Sequence, residues 1–242
     1  GKMRVVIPED EKKALTHYAY HIKAGKEIFA AEGAFGQYLI CFRDYPVAIG
    51  ITAGASEYLA ADICLKYIKE AVQIPCEKEN LEEAQEKLEE KLVHLTLPKP
   101  EGDKKDTNEA TKKLLNKRIA FTENPRQIES AVISTVGEEL KLELTVAGEK
   151  KILFAGYKDW KCNDMYPNDF TKRYHAVSYA FDEDALYLSV GLLNTSYREE
   201  YCLWVNSENV VVGTWRPNVT YLPAEEDMTW KFTGTFEPSC IL

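Results

Sequence analysis

The residues that usually announce chemistry are scarce in this chain. Its 242 residues include 4 histidines, 6 cysteines and 3 methionines, and no two cysteines stand in C-x-x-C spacing. That excludes a zinc site built on cysteine pairs, and the cysteine density is too low for a disulfide scaffold. No apolar run approaches the roughly 18 residues a membrane-spanning helix requires, so no membrane segment is expected. The opening GKMRVVIPEDEKK has no apolar signal core; the chain is expected to be soluble, with export left open. Positive charge is also short. A formal net charge of -9 and a pI near 5.1 argue against an electrostatic hold on nucleic acid or anionic lipid, so neither partner is expected. A nucleophile with an adjacent base, a metal-ligand set and a phosphate-binding loop are all missing from the sequence pattern. No metal and no other cofactor is therefore expected.

What is present is a normal globular composition, 45% hydrophobic, long enough for one large domain or two small ones. The stretch Gly33 to Ala55 predicts a β-hairpin at the centre of a sheet. Its strands are Gln37 to Arg43 and Val47 to Thr52, joined by a turn at Asp44-Tyr45-Pro46. The second run, VAIGIT, has little to offer a solvent face and predicts an interior strand covered on both sides. Gly33 and Gly36 give the backbone unusual freedom on a rim suited to bordering a binding site. Upstream, Thr16 to Ile22 predicts a strand with Glu27 to Ala31 as its hairpin partner across Lys23 to Lys26. His17 and His21 stand four apart, yet two ligands alone make no metal site. Cys41, Cys64 and Cys202 sit among apolar neighbours and are expected as buried free thiols, which favours a reducing compartment.

From Ser56 the period becomes helical. Ser56 suits an N-cap, and Tyr58, Ala61, Leu65, Ile68 and Val72 recur at helical steps, predicting a helix over 57–73 that lies flat on the sheet. Asn80 with Glu83 forms a capping box for a second helix. Its seam of Leu81, Ala84, Leu88, Leu92 and Leu95 predicts docking on a neighbouring domain. Residues 98–112, PKPEGDKKDTNEATK, lack apolar content and predict a mobile linker. After residue 113 the period falls to two. Leu140, Leu142, Leu144 and Val146 alternate with polar residues, as do Leu186, Leu188, Val190 and Leu192, and turn signals separate further strands at 118–122, 130–135, 151–154, 175–181, 201–205, 210–214, 219–221 and 230–236. Such hairpins make a meander barrel or a two-layer sandwich. Gly156 to Trp160 and Gly213 to Trp215 hint at a weak internal duplication.

GAFGQY, a following apolar strand and AGASEYLAADICLKYIKEAV together resemble the end of the catalytic domain of class C β-lactamase-like serine hydrolases, members of the penicillin-recognising serine enzyme group. Ala31-Glu32-Gly33 stands where that family has Lys-Thr-Gly or His-x-Gly, so the basic residue is missing. The later segments RIAFTENP (118–125), Phe154 to Trp160, Asn218-Val219-Thr220 and Thr233-Gly234 resemble the family's C-terminal extension. The family's Ser-x-x-Lys nucleophile occurs nowhere in the chain, and Tyr166-Pro167-Asn168 matches its Tyr-x-Asn motif by letters only.

The resemblance implies an α+β fold: a small antiparallel sheet with a packed helix over 1–76, a connecting helix and linker over 77–112, and an all-β meander barrel or sandwich over 113–242. It implies that Glu32, Gly33 and Ala34 are the remnant of a substrate-contacting strand, with the Ala34 N–H as an oxyanion donor and no catalytic nucleophile. The function implied is that of a C-terminal hydrolase fragment inactive alone, whose partner is the missing N-terminal catalytic portion. The alternative is a non-catalytic binding module, whose β domain holds an apolar small-molecule ligand or a protein partner through Trp160, Trp204, Trp215 and Trp230. Core packing accounts equally well for those tryptophans.

Overall fold

Alternating side chains on short strands dominate the computed structural model, which describes residues 17–54, 66–68, 70–71, 81–102, 109–163, 174–182, 184–219 and 228–238. The chain divides into two units, Gly1–Leu97 and Pro98–Leu242.

In the first unit, β1 (His17–Ala19), β2 (Ile22–Ala24), β3 (Ile28–Gly33), β4 (Gln37–Phe42) and β5 (Ala48–Ile51) form an antiparallel meander in sequence order. Ile28, Ala30, Tyr38, Ile40 and Phe42 bury one face, with Ile49 and Ile51 packed against them. The β4–β5 hairpin pairs Tyr38 with Ile51 and Cys41 with Ala48, across the turn read from Asp44-Tyr45-Pro46.

Two expectations here are corrected. Among the described residues β5 is an edge strand, not an interior one. Its apolar run is a size alternation: Ile49 and Ile51 face the buried cluster while Ala48 and Gly50 are exposed, and such small residues need no cover. The run from Thr16 to Ile22 is not one strand either. Tyr20 and His21 take positive φ, 52° and 62°, and Ala19 pairs with Ile22 across them. These two residues close a tight hairpin of the type that Asn-Gly normally signals.

The second unit contains β6 (Arg118–Phe121), β7 (Ile128–Val136), β8 (Glu139–Val146), β9 (Glu149–Tyr157), β10 (Lys161–Asn163), β11 (His175–Asp182), β12 (Ala185–Leu192), β13 (Arg198–Val205), β14 (Val211–Pro217) and β15 (Trp230–Phe236). Nine strands, all of these but β10, close into a barrel. Antiparallel pairing runs from β11 through β15, on to β6 and then to β9, and a parallel β9–β11 pair completes the ring. That seam is short, with Ser178 opposite Gly156 and Tyr179 opposite Tyr157. Asn163 on β10 splints it: its Oδ1 accepts the Phe154 N–H at 2.6 Å and its Nδ2 donates to the Phe154 carbonyl at 3.0 Å. The inner face carries the apolar set of the period-two pattern, including Leu140, Val177, Phe181, Leu186 and Val211.

The α+β expectation is therefore corrected to a mostly β chain of two sheets, and barrel replaces sandwich. Of the helix expected over 57–73, residues 66–68, 70 and 71 are described as helical, and Ile68 touches the first cluster; the rest, with its cap Ser56, lies outside the described residues, as does Asn80. α1 (Leu81–Val93) buries none of its residues, and Leu88 and Leu92 are exposed.

The expected linker is also partly built in. α2 (Glu109–Lys112) falls within it, Thr111 and Leu114 are fully buried, and Lys99 Nζ reaches Asp159 Oδ1 at 3.2 Å. Among the described residues no helix is long and apolar enough to cross a membrane.

Candidate functional site

Because successive barrel strands are antiparallel, the β6–β7 turn, the β12–β13 turn, the end of β14 and the start of β15 lie at one end of the barrel. The other end, where β6 begins, takes Leu114 into the interior cluster. The first end has a different lining.

Asn124-Pro125-Arg126-Gln127 makes the β6–β7 turn, with the Gln127 N–H donating to the Asn124 carbonyl at 3.0 Å. Asn and Pro at its first two positions suit that geometry. The Asn124 side chain then bridges the turn, donating to the Thr122 and Ile128 carbonyls and accepting the Ile128 N–H at 3.0 Å. So fixed, Arg126 meets an acidic residue from across the barrel end. Its Nε lies 3.1 Å from Glu199 Oε1.

Glu199 and Tyr201 are two apart on β13 and share its inward face with Leu203. The Tyr201 hydroxyl donates to Glu199 Oε2 at 2.7 Å. Tyr201 pairs with Trp215 on β14, and Trp215 with Trp230 on β15. The two indoles lie 4.7 Å apart between centroids, tilted by 41°, and the Arg126 guanidinium sits 6.0 Å from the centre of Trp215. Trp215 is 7% exposed, and its Nε1–H has no hydrogen-bond partner among the described residues. The rim is braced by Asn218, which accepts the Arg198 N–H at 2.8 Å and donates to the Ser196 carbonyl at 2.8 Å.

The electrostatics are closed. Burial pulls the Arg126 pKa down, but the Glu199 carboxylate, then Tyr201 and hydrogen bonds to both, outweigh it and leave the pKa raised. Burial first, and the neighbouring Glu199 charge second, push the Tyr201 phenol well above its usual range despite Arg126. Tyr201 therefore stays protonated at neutral pH and is not poised to move a proton, and each oxygen of Glu199 has a partner. The cluster is a charge-balanced, aromatic, hydrogen-bonding surface in which the buried Trp215 N–H has no partner among the described residues.

The residues expected to form a site lie elsewhere. Glu32 ends up near the close of β3 with its side chain 9% exposed and ion-paired to Lys23, and it accepts the Tyr38 hydroxyl at 3.1 Å. Gly33 pairs with Gln37, and Ala34 opens the turn to β4, in which Phe35 and Gly36 take φ of 62° and 83°. The glycine at 36 is thus explained by the turn itself. His17 is in β1 and His21 in the hairpin turn, where its Nδ1 is 3.2 Å from the Tyr18 hydroxyl. Of the four named tryptophans, Trp215 and Trp230 meet. Trp204 alternates to the other face of β13, and Trp160 follows Asp159 outside the strands. Cys41 and Cys202 are free and half-buried, and Cys162 is free and exposed; Cys64, Cys76 and Cys240 lie outside the described residues, as does Tyr166-Pro167-Asn168.

Arg126, Glu199 and Tyr201 were not anticipated. Two signals pointed to them: the Asn-Pro turn immediately before Arg126, and a carboxylate two residues from Tyr201 on the apolar face of an alternating strand. No protein-family model and no curated protein matches this chain.

Proposed function

We propose that this chain acts by binding, with the end of its β barrel that carries Arg126, Glu199 and Trp215 as the recognition surface for a small, largely apolar molecule. One observation carries the reading. In an interior otherwise lined by aliphatic and aromatic side chains, Arg126, Glu199 and Tyr201 converge at one end on two tilted, neighbouring indoles, and the buried Trp215 N–H has no acceptor among the described residues. A buried donor left unpaired destabilises a protein by about 1–3 kcal/mol, and an occupant supplying an acceptor relieves it. Convergent polar groups on an apolar lining are the usual mark of a ligand site.

The test is a titration of the full chain with acetophenone and with α-methylstyrene, followed through the indole N–H resonances of the four tryptophans. Movement of the Trp215 and Trp230 signals, with Trp160 and Trp204 unmoved, is expected. If neither probe moves Trp215 or Trp230 up to its solubility limit, the binding reading falls.

A second reading keeps the kinship with serine hydrolases: the first unit would be one wall of a catalytic domain whose nucleophile lies on another segment. Its support is the run Ala31 to Gly36 together with the engagement of Glu32 by Lys23 and Tyr38, which leaves no free carboxylate there to act as a base. This reading expects no turnover of p-nitrophenyl acetate by the chain, and hydrolysis that survives replacement of every serine would overturn it.

A further inference from the structure

The composition of the barrel mouth restricts what its occupant can be. Resting on the binding reading above, we propose that the ligand is a neutral molecule with a flat apolar body and one carbonyl-type acceptor, and that this acceptor is seated on the Trp215 indole N–H.

Glu199 is the acidic acceptor of the cluster, and its two oxygens are engaged by Arg126 at 3.1 Å and by Tyr201 at 2.7 Å. Each of those oxygens thus already has a partner, and neither is the unpartnered atom of the cluster. Trp215 offers only a donor, and that donor has no partner among the described residues. The vacancy therefore calls for an acceptor.

The guanidinium of Arg126 is matched one-to-one by the carboxylate of Glu199, whose residue is 7% exposed. An anionic head group would bring a second negative charge beside Glu199 where water is scarce, and a cationic one would do the same beside Arg126. A neutral carbonyl leaves the pair as it stands.

Trp215 and Trp230, 4.7 Å apart, present indole faces against which a flat apolar body packs in offset or tilted fashion. The guanidinium lies over the Trp215 ring, and the Arg126 side chain is 40% exposed. That partly exposed side chain is what an entering ligand would have to displace, whereas the turn beneath it is tied by Asn124.

Three isosteric probes separate these elements: acetophenone (neutral, carbonyl), α-methylstyrene (the same shape with methylene for oxygen) and benzoate (the same size, anionic). In the full chain, acetophenone is expected to bind about tenfold more tightly than α-methylstyrene, the ratio corresponding to one satisfied buried donor. It is also expected to shift the Trp215 indole proton downfield, where α-methylstyrene does not. Trp215→Phe brings the ratio to about one, whereas Trp204→Phe leaves it unchanged. Should Trp215→Phe fail to fold, the downfield shift in the unmodified protein decides the matter. Equal binding of the two neutral probes overturns the acceptor assignment but leaves the binding reading standing. Benzoate binding more tightly than acetophenone overturns neutrality. Failure of all three probes to move Trp215 or Trp230 removes both readings together.

Discussion

Arg126, on a turn between two neighbouring strands, and Glu199, on the inner face of a strand across the barrel end, meet at 3.1 Å, so that a partly exposed guanidinium balances a buried carboxylate. The pair explains why a carboxylate is tolerated 7% exposed in a largely apolar lining. Removing one partner and removing both should therefore have unlike consequences. Arg126→Met leaves the Glu199 charge with Tyr201 as its remaining polar contact and should destabilise the chain by about 1–3 kcal/mol, less than for a fully buried pair because Arg126 is partly wet. Glu199→Gln added to Arg126→Met should recover a substantial part of that loss, and a double-mutant cycle by urea denaturation measures it.

Tyr201 makes the same site sensitive to alkali. Its phenol, pushed up first by burial and then by Glu199, keeps its proton in the folded chain at pH values where the unfolded chain has lost it. The stability this provides is whole below the unfolded value near 10, and it drains away as pH rises from there toward the raised folded value. Thermal midpoints of the native chain and of Tyr201→Phe, compared between pH 8 and pH 11, should diverge above about pH 10. The native chain should lose stability faster. Parallel decline of the two would remove Tyr201 as the cause.

Gly213 on β14 sits where a Cβ would run into the ring of Phe232 on the neighbouring strand. Phe232 itself is 6% exposed and packs edge-on to Phe121 at 5.4 Å, so it has little room to retreat. Gly213→Ala should destabilise by about 1–3 kcal/mol through overpacking, and pairing it with Phe232→Leu should recover part of this. Denaturant midpoints of the single and double variants decide the point.

How much of this was legible in the sequence depended on how local each feature is. The strand 230–236 and the paired leucines of β8 and β12 were visible, because an alternation of period two needs only its own residues. Closure was not visible. It rests on two residue pairs between β9 and β11 and on the side chain of Asn163, none of which leaves a pattern in a window of ten residues. The sandwich alternative therefore stayed open until the first and last strands of the barrel unit, β6 and β15, were seen to pair. At the mouth, beginning the strand at Tyr201 instead of Arg198 hid the inward-facing Glu199. In the first unit, Ala48 and Gly50 counted as apolar when their size was the relevant property. The family resemblance directed attention to Glu32, Gly33 and Ala34, where the local hydrogen bonding is self-contained, and away from the Asn-Pro turn that sets Arg126.

The hairpin at Tyr20-His21 offers a test in which the sequence departs from what its backbone asks for. Both residues hold left-handed conformations, φ 52° and 62°, which place Cβ close to the following carbonyl and disfavour side chains of this kind by about 1 kcal/mol or more per residue. Both side chains are exposed, so little packing offsets that strain. The exposed contact between Tyr18 and His21 at 3.2 Å is worth little where water competes for it. Asn-Gly is the pair best adapted to such a turn. Tyr20→Asn with His21→Gly should therefore make the β1–β2 hairpin more persistent, slowing amide exchange at Ile22, whose partner across the turn is Ala19. The gain should be about 0.5–1 kcal/mol in local opening free energy, since glycine also loosens the unfolded chain and returns part of the benefit. Unchanged or faster exchange at Ile22 would mean that the turn is held by contacts other than its own backbone geometry.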